Sequence, residues 1–425
     1  MQVRSFFGLP STLILGYLGV GLFMTGDGIE QAFLSRYVVD MGFSAEQASL
    51  LFVVYGLAVA IASWLSGVLA EVWHPKRLMF AGVFLWLLFH VAFLVLGLGQ
   101  QNFPMMLASY GIRGVSYPMF IYGFVVWIAM VVSPERLASA MGWFWTMFAL
   151  GLGVFGSFIP SFTIPVLGYM GTLWMALAWV AAAGVVLIFL NPGERAERST
   201  KAAHKKLGEL TKAITILYEN RNITLAVIVR VINQLSLFGF VVFMPLVFTD
   251  QYQYTIEEWL RIWAMLSVTA VFTNILWGNV GDRFGWLKVV RVVGCLGCAT
   301  SALAFYYLPG IFQGNVLVGM GVSALLGVTI SGFVPMSALF PALEPDHKGA
   351  AVSAHNLSAG LSHFIAPGLV GLIMGVWGAG AVVWTFALLY VLAFVLACFI
   401  KVNQPTLRSN DVEAMIGPKL ESAKA

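Results

Sequence analysis

Four charged side chains lie inside long apolar stretches of the sequence, where an ionised group is costly. Asp27 and Glu30 are in the first stretch, Arg113 is in the fourth and Arg230 is in the seventh. A charge at the centre of a membrane helix costs about 2.5–3.5 kcal/mol, so each group needs a partner or a function. A carboxylate beside a buried cation can stay ionised and then take up a proton when the space around it closes. The alternative is a fixed ion pair that only joins two helices.

The spacing of the neighbouring polar residues is helical. Asp27, Glu30 and Gln31 follow an i, i+3, i+4 pattern, which places the three side chains on one face of a helix. The same pattern recurs in the seventh stretch, at Arg230, Asn233 and Gln234. These two polar faces are the first candidates for a solute path through the membrane.

The balance of buried charge predicts the chemical class of the solute. The two acids cancel the two arginines, so no cation is left over for an anionic ligand unless one acid is protonated. A neutral, hydroxyl-rich solute fits better, and it needs side chains that donate and accept hydrogen bonds, with rings against its carbon chain. The candidates are Gln31, Tyr117, Trp143, Trp145, Arg230, Asn233, Gln234, His355, Asn356 and His363. Each of them could instead form a hydrogen bond between helices.

The composition requires a membrane protein built of helices. Of the 425 residues, 60% are hydrophobic and 10% are charged, against about 25% charged in a soluble domain. The apolar stretches match the roughly 20 residues of a helix that crosses the hydrocarbon core, where open strands cannot satisfy their backbone. An all-α fold with twelve transmembrane helices is predicted, near 11–34, 47–70, 77–99, 104–132, 137–160, 166–190, 222–248, 257–280, 287–309, 314–341, 348–375 and 377–400.

The longest charged gap divides the chain into two six-helix bundles, 1–190 and 222–400. The linker, 191–221, carries apolar residues at helical spacing and is predicted to contain an amphipathic helix on the membrane surface, the alternative being a solvated linker. Residues 401–425 form a tail. The side with the N-terminus, the linker and the tail carries 19 of the 23 Lys and Arg, whereas the other side carries Arg36 and Arg261. The positive-inside rule therefore predicts cytoplasmic termini.

One loop occurs twice. Residues 67–77 read GVLAEVWHPKR and residues 278–288 read GNVGDRFGWLK, with the first glycines 211 positions apart. Each copy has an acid four residues after its glycine, which indicates an internal duplication. The residues of this loop motif are Gly67, Glu71, Lys76, Arg77, Gly278, Asp282, Arg283 and Gly285.

Enzyme chemistry is not predicted. The sequence has no H-E-x-x-H or G-x-S-x-G motif, and its three cysteines lie in apolar stretches without the polar context of a redox or metal site. The tail after Lys401 is too short for the soluble domain of a sensor. We expect no metal, no cofactor and no nucleic-acid partner, with protons as the coupling ion, and a monomer in the lipid bilayer.

The repeated loop resembles the G-x-x-x-D-R-x-G loop of the major facilitator superfamily, although the first copy has Glu71, Val72 and His74 where that pattern has Asp, Arg and Gly. In the superfamily this loop acts as a gate. The fourth-helix element around Arg113 is also similar. In proton-coupled sugar transporters of the superfamily an acid of the first helix pairs with an arginine of the fourth, which implies coupling roles for Asp27 and Arg113, with Glu30 as the second candidate.

Five further segments resemble the bacterial polyol permease family, and the likeness extends over nearly the whole chain. They are GDGIEQAFLSRY, WLSGVLA, SYGIRGVSYPMF, GWFWTMF and APGLVG. The resemblance implies proton symport of linear pentitols such as ribitol and arabinitol, by alternating access, across a bacterial inner membrane. Two alternatives stay open, a symporter of small organic anions that uses Arg113 and Arg230, and a polyol facilitator without proton coupling.

Overall fold

The protein is described by a computed structural model that covers residues 5–6, 9–10, 13–132, 134–190, 214–312, 314–345, 348–402 and 404. The predicted amphipathic helix of the linker falls largely outside these residues, although 214–219 are helical. The surroundings of Gly67, the side chain of Glu71 and most of the predicted tail also lie outside the described part. The limits of the two bundles stay a prediction.

The first half contains six membrane helices, which follow a short antiparallel pair of strands, Ser5–Phe6 and Leu9–Pro10. They are α1 (Ile14–Gly28 and Leu34–Asp40), α2 (Ala45–Trp73), α3 (Pro75–Ala92, extended by a wider turn at Phe93–Leu98), α4 (Phe103–Arg113 and Ser116–Val131), α5 (Pro134–Ala149, Leu150–Phe155 and 156–167) and α6 (169–188).

The second half repeats this order. Its helices are α7 (Arg221–Asn233, Leu235–Leu246 and Val247–Gln251), α8 (Ile256–Phe284), α9 (Trp286–Val289, Val290–Gly297 and Cys298–Ile311), α10 (Val316–Ile330, Ser331–Phe333 and Met336–Leu343), α11 (348–377) and α12 (379–399).

The all-α fold with twelve membrane helices is confirmed. Nine helices of the described chain are long and apolar enough to cross a membrane. Two of these nine are double, because Gly168 (φ 69°) and Gly378 (φ 77°) turn the backbone between α5 and α6 and between α11 and α12. Glycine has no Cβ and adopts this left-handed conformation at little cost. The interrupted helix α1 is the twelfth.

The backbone shows the internal duplication that the repeated loop predicts. Helices α2 and α8 each have 29 residues, and each begins with a capping box, Ser44 with Gln47 and Thr255 with Glu258. Each helix ends at a residue with positive φ, and these two residues are also 211 positions apart. In the second copy this residue is Gly285, whereas in the first it is His74, an uncommon residue for this conformation.

Four helices of the described chain are interrupted in the middle of the membrane, namely α1, α4, α7 and α10. In α1 the interruption is a tight turn in which the Gln31 and Phe33 amides donate to carbonyls three residues earlier, both at 3.1 Å. In α7 the Tyr390 hydroxyl of α12 donates to the Asn233 carbonyl (3.1 Å). The interruptions recur every third helix, and non-helical backbone at this depth is typical of a binding site.

The two halves meet mainly at one end. We call the end where α1 gives way to α2 the far face, and the end where α2 gives way to α3 the near face. Every described side-chain hydrogen bond between the halves belongs to the far part of the molecule, for example Trp259 Nε1 to the Ala32 carbonyl (2.7 Å) and Ser49 Oγ to the Pro367 carbonyl (2.7 Å). The far face is therefore closed.

Arg36 strengthens this closure. It donates to Thr249 (2.9 Å) and Asp250 of α7, and it pairs with Asp40 one turn further along α1 (2.9 Å). The predicted limit of α1 at residue 34 was too early, because these ion pairs stabilise a helix that continues to Asp40.

We expect Arg36→Gln to loosen the far face. An exposed ion pair contributes about 0.2–1 kcal/mol, so the open fraction should rise roughly 1.5- to 5-fold. The reporter is Ser35→Cys, because Ser35 is fully buried and donates to the Val241 carbonyl across the interface (3.0 Å). The rate of maleimide labelling in purified protein measures the opening.

The matched control is Arg291→Gln, since Arg291 donates to the Ala397 carbonyl within its own half (2.8 Å). All variants carry Cys398→Ser, because Cys398 is exposed and would react. Equal labelling rates in the Arg36 and Arg291 variants would mean that Arg36 does not hold the far face closed.

Candidate functional site

Asp27 lies in the last turn of the first segment of α1 and is almost fully buried. Its carboxylate accepts a hydrogen bond from Trp86 Nε1 (2.7 Å) and longer ones from the Tyr55 hydroxyl (3.3 and 3.4 Å to the two oxygens). Both donors are neutral. Asp27 is thus solvated by two aromatic side chains of α2 and α3 and takes part in none of the described salt bridges.

Glu30 is the carboxylate that binds Arg113. The guanidinium donates through Nη1 to Oε2 (3.0 Å) and through Nη2 to Oε1, so the pair is bidentate. The sequence resemblance implied that Asp27 would be the partner. The structure differs because the turn after Gly28 interrupts α1 and directs Glu30 towards the last turn of the first α4 segment, where Arg113 lies.

His90 of α3 completes this group, and sequence reasoning missed it. Its Nδ1 contacts Arg113 Nη1, and its Nε2 contacts the Leu173 carbonyl of α6 (3.0 Å). A carbonyl only accepts and a guanidinium only donates, so Nε2 carries the proton and Nδ1 is the acceptor. His90 is therefore a neutral imidazole with a fixed tautomer. The only signal in the sequence was a polar residue one turn after Trp86 in an apolar stretch.

Aromatic rings enclose the Arg113 guanidinium. Its Cζ lies 4.6 Å from the ring centre of Tyr110, 5.0 Å from Trp86, 5.8 Å from Phe93 and 5.9 Å from Tyr55. Ring faces attract a cation, most strongly where water is excluded. The enclosure therefore stabilises the charge of Arg113 without adding a second carboxylate.

The second half contains a cation with neutral partners. Arg230 donates through Nη1 to the Asn233 side-chain oxygen and through Nε to His355 Nε2 (3.2 Å). His355 Nδ1 in turn lies 3.4 Å from the Asn356 side-chain oxygen. Within the described residues Arg230 has no carboxylate partner.

Two buried polar atoms at the interruption of α7 have no hydrogen-bond partner among the described residues. They are the side-chain nitrogen of Asn233, a donor, and the side-chain oxygen of Gln234, an acceptor. A buried polar group without a partner costs about 1–3 kcal/mol. The pair is suited to a ligand that both accepts and donates hydrogen bonds.

A small cavity of about 20 Å³, with room for about one water molecule, lies between the halves. It is much smaller than a usual ligand pocket of about 300–1,000 Å³, so a solute can bind here only after the cavity has widened. Its lining includes Tyr55, whose hydroxyl contacts Asp27, and it combines residues of both halves, namely Gln31, Phe52, Tyr55, Tyr110, Phe238, Val241, His363 and Pro367. The cavity therefore joins the Asp27 site to the second half.

The remaining predicted ligands lie at different places. Tyr117 is buried with its ring 6.0 Å from that of His363, across the interface between the halves. Trp143 is half-buried and packs against the core, whereas Trp145 is 47% exposed and contacts Phe148 edge-on. Roles for these side chains in binding stay predictions.

The residues of the loop motif contact their own half. Lys76 Nζ donates to the last carbonyls of α6, at Ile188 (3.2 Å) and Leu190 (2.6 Å). Asp282 accepts from Trp286 Nε1 (2.7 Å). Arg77 and Arg283 are exposed, and Gly278 is half-buried. A gating role for the loops stays a prediction, because the structure is closed at the opposite face.

We expect Glu30→Gln to destabilise the protein more than Asp27→Asn does. Removing one partner of a buried ion pair costs about 3–5 kcal/mol, because it leaves the charge of Arg113 uncompensated. Asparagine at position 27 can still accept from Trp86, so that change should cost about 1 kcal/mol. The melting temperatures of the two variants in detergent show which change destabilises the protein more. The double variant with Arg113→Gln should regain part of the loss, and a larger effect of Asp27→Asn would contradict the assignment of the ion pair.

Comparison with known proteins agrees with this architecture. The sequence profile of the Major Facilitator Superfamily matches residues 16–343 and 264–421. The chain also resembles the crystal structure of a D-xylose-proton symporter, with a TM-score of 0.72 and 14% identity over 93% of this chain and 99% of the other. At this identity the likeness concerns the fold alone.

Curated relatives are similar along nearly their whole length. A ribitol transporter of Klebsiella pneumoniae is 47% identical over 96% of both chains, and a D-arabinitol transporter of the same organism is 47% identical over 97% of both. An alpha-ketoglutarate permease of Bacillus subtilis (strain 168) is 41% identical over 95% of this chain and 92% of its own. The resemblance to the polyol permeases is confirmed. The protein is a multi-pass membrane transporter, not an enzyme, and it belongs to the Major Facilitator Superfamily.

Proposed function

We propose that the protein takes up a linear pentitol, such as ribitol or arabinitol, together with protons, by alternating access. The relatives that transport ribitol and D-arabinitol support the substrate class. The observation that carries the coupling is the position of Tyr55, which contacts Asp27 and also lines the cavity between the halves. A solute that binds here once the cavity widens and a proton on Asp27 are then separated by one side chain.

A neutral polyol suits the polar groups at the interruption of α7. A hydroxyl group can accept from the Asn233 amide and donate to the Gln234 oxygen, which satisfies both unpaired atoms. The rings of Tyr110 and Phe238 in the cavity wall offer apolar surface to the carbon chain. Gln31, Tyr117, Trp143, Trp145, Arg230, His355 and Asn356 are further proposed ligands.

Asp27 is the acid that we expect to exchange protons. Protonation of Glu30 would leave the buried Arg113 cation without its counter-ion, whereas protonation of Asp27 weakens hydrogen bonds from neutral donors and leaves the Glu30–Arg113 pair intact. The Glu30–Arg113 pair then has a supporting role, since its charges cancel and it leaves the proton equilibrium to Asp27. Protons are the proposed coupling ion, and no cofactor is needed.

The orientation follows from the distribution of basic residues. The near face carries most Lys and Arg, so we place it, with both termini, in the cytoplasm of a bacterial cell and the protein in the inner membrane. In this orientation the closed far face is the outer one. We propose that the protein acts as a monomer, because each chain contains both halves of the cavity.

We expect Asp27→Asn to bind and exchange pentitol but to lose its accumulation against a gradient. The change retains the hydrogen bond from Trp86 and removes the exchangeable proton. Uptake of labelled ribitol into proteoliposomes, with and without an inward proton gradient, separates the two activities. Glu257→Gln, an acid in the first turn of α8, is the control. Accumulation by Asp27→Asn at the wild-type level would indicate an uncoupled facilitator or another coupling residue.

Transport of a small organic anion is the second candidate function. Arg230 has no carboxylate partner among the described residues, and one relative is an alpha-ketoglutarate permease. Under this hypothesis the ligand carboxylate would bind Arg230 in place of the Asn233 oxygen. The predicted neutral substrate instead leaves the present contacts of Arg230 intact.

A thermal-shift comparison of purified protein distinguishes these substrates. We expect ribitol or D-arabinitol to raise the melting temperature and α-ketoglutarate to leave it unchanged, since a ligand that binds the folded state stabilises it. Stabilisation by α-ketoglutarate that Arg230→Gln abolishes would favour the anion instead. Sodium chloride at matched ionic strength is the control for screening.

A further inference from the structure

Helix α3 has contacts to both acids of α1. Trp86 donates to Asp27 (2.7 Å), and His90, one turn later, contacts Arg113 and lies 3.8 Å from Glu30 Oε2. The Trp86 and His90 rings are stacked, with centres 4.3 Å apart and planes 20° apart. Both side chains are fully buried. The pair thus links the Asp27 site with the Glu30–Arg113 ion pair.

The groups around His90 determine which of its ring nitrogens carries the proton. The charged and titratable groups around it are Glu30 of α1 and Arg113 of α4, with Asp27, Tyr55 and Tyr110 in the next layer. From α6 it meets only the Leu173 carbonyl. That carbonyl fixes the proton on Nε2, so Nδ1 is available to Arg113. A doubly protonated ring would present a donor to the Arg113 guanidinium, which has no acceptor.

We propose that His90 is a positioning residue of the transport cycle, which as a neutral imidazole holds Arg113 on Glu30 and so keeps Asp27 free to exchange its proton. This inference rests on the proposed proton coupling. Arg113 already interacts electrostatically with Asp27. If the guanidinium moved towards Asp27, the nearby cation would stabilise the ionised carboxylate. Asp27 would then bind its proton only at lower pH.

Two substitutions separate the two contacts of His90. In His90→Asn the amide oxygen can take the place of Nδ1 and accept from Arg113, although the side chain is too short to reach Leu173. In His90→Gln the amide nitrogen can take the place of Nε2 and donate to Leu173, but no acceptor remains at the Nδ1 position. Both changes remove the stacked ring, so a loss of packing affects them alike.

The experiment measures ribitol accumulation in proteoliposomes as a function of pH, under a fixed inward proton gradient. We expect the pH profile of His90→Gln to move to lower pH by about one unit, as a modest change in electrostatic environment does. His90→Asn should keep the wild-type profile. Counterflow without a proton gradient should change little in either variant.

The outcomes are distinct. If wild-type uptake does not depend on the proton gradient, the proposed coupling is wrong, and the role of His90 falls with it. In the other case wild-type uptake depends on the proton gradient while the pH profiles of the two variants shift equally, or neither profile shifts. Proton coupling is then supported and the positioning role of His90 is wrong.

A second measurement is made on the wild-type protein and uses a variant only to assign the signal. Nitrogen-15 NMR of labelled wild-type protein reports the protonation of each ring nitrogen, and the signal that His90→Asn removes identifies His90 among the six histidines. We expect a protonated Nε2 and a bare Nδ1 from pH 5 to pH 8. A doubly protonated ring, or a proton on Nδ1, would overturn the proposal.

Discussion

The bidentate ion pair between Glu30 and Arg113 is the interaction on which the centre of the first half depends. Two isolated charges could not remain at this depth, because each costs several kcal/mol to desolvate. The pair is possible because α1 turns at residues 29–33 and α4 is interrupted after Arg113, which brings the two side chains together. The rings around Arg113 exclude water, and His90 accepts a further hydrogen bond from its Nη1. Asp27 is left with neutral donors, and this difference between two neighbouring acids is the basis for assigning them different roles.

The second half repeats the backbone of the first but not its chemistry. Helices α2 and α8 have equal length and similar caps, and the interruptions in α1 and α4 recur in α7 and α10. Where α1 carries two acids, however, α7 carries Arg230 with amide side chains. The side-chain nitrogen of Asn233 and the side-chain oxygen of Gln234 have no partner among the described residues. The duplicated scaffold therefore holds two acids in one half and, in the other, an arginine among amide and imidazole side chains.

The sequence predicted the scaffold well, since apolar length, charge distribution and the repeated loop are local signals that survive without tertiary information. It also identified the four buried charges. It did not predict that Arg113 binds Glu30, because an i, i+3, i+4 pattern assumes a continuous helix and α1 is interrupted between these residues. His90 and Trp86 were missed for another reason. A single His or Trp in an apolar stretch is compatible with ordinary packing, and only the fold brings α3 against α1 and α4.

Helix α2 connects the closure of the far face to the acid. Gly56 packs so closely against the His363 backbone of α11 that a Cβ at this position would collide with the carbonyl. One residue earlier in α2, Tyr55 contacts Asp27 and lines the cavity, and His363 lines the same cavity from the other half. Any movement that separates α2 from α11 must therefore open the cavity wall beside Tyr55. Interfaces packed this tightly change between discrete arrangements rather than by gradual deformation. Opening of the far face would therefore disturb the cavity wall from which Tyr55 reaches the Asp27 carboxylate.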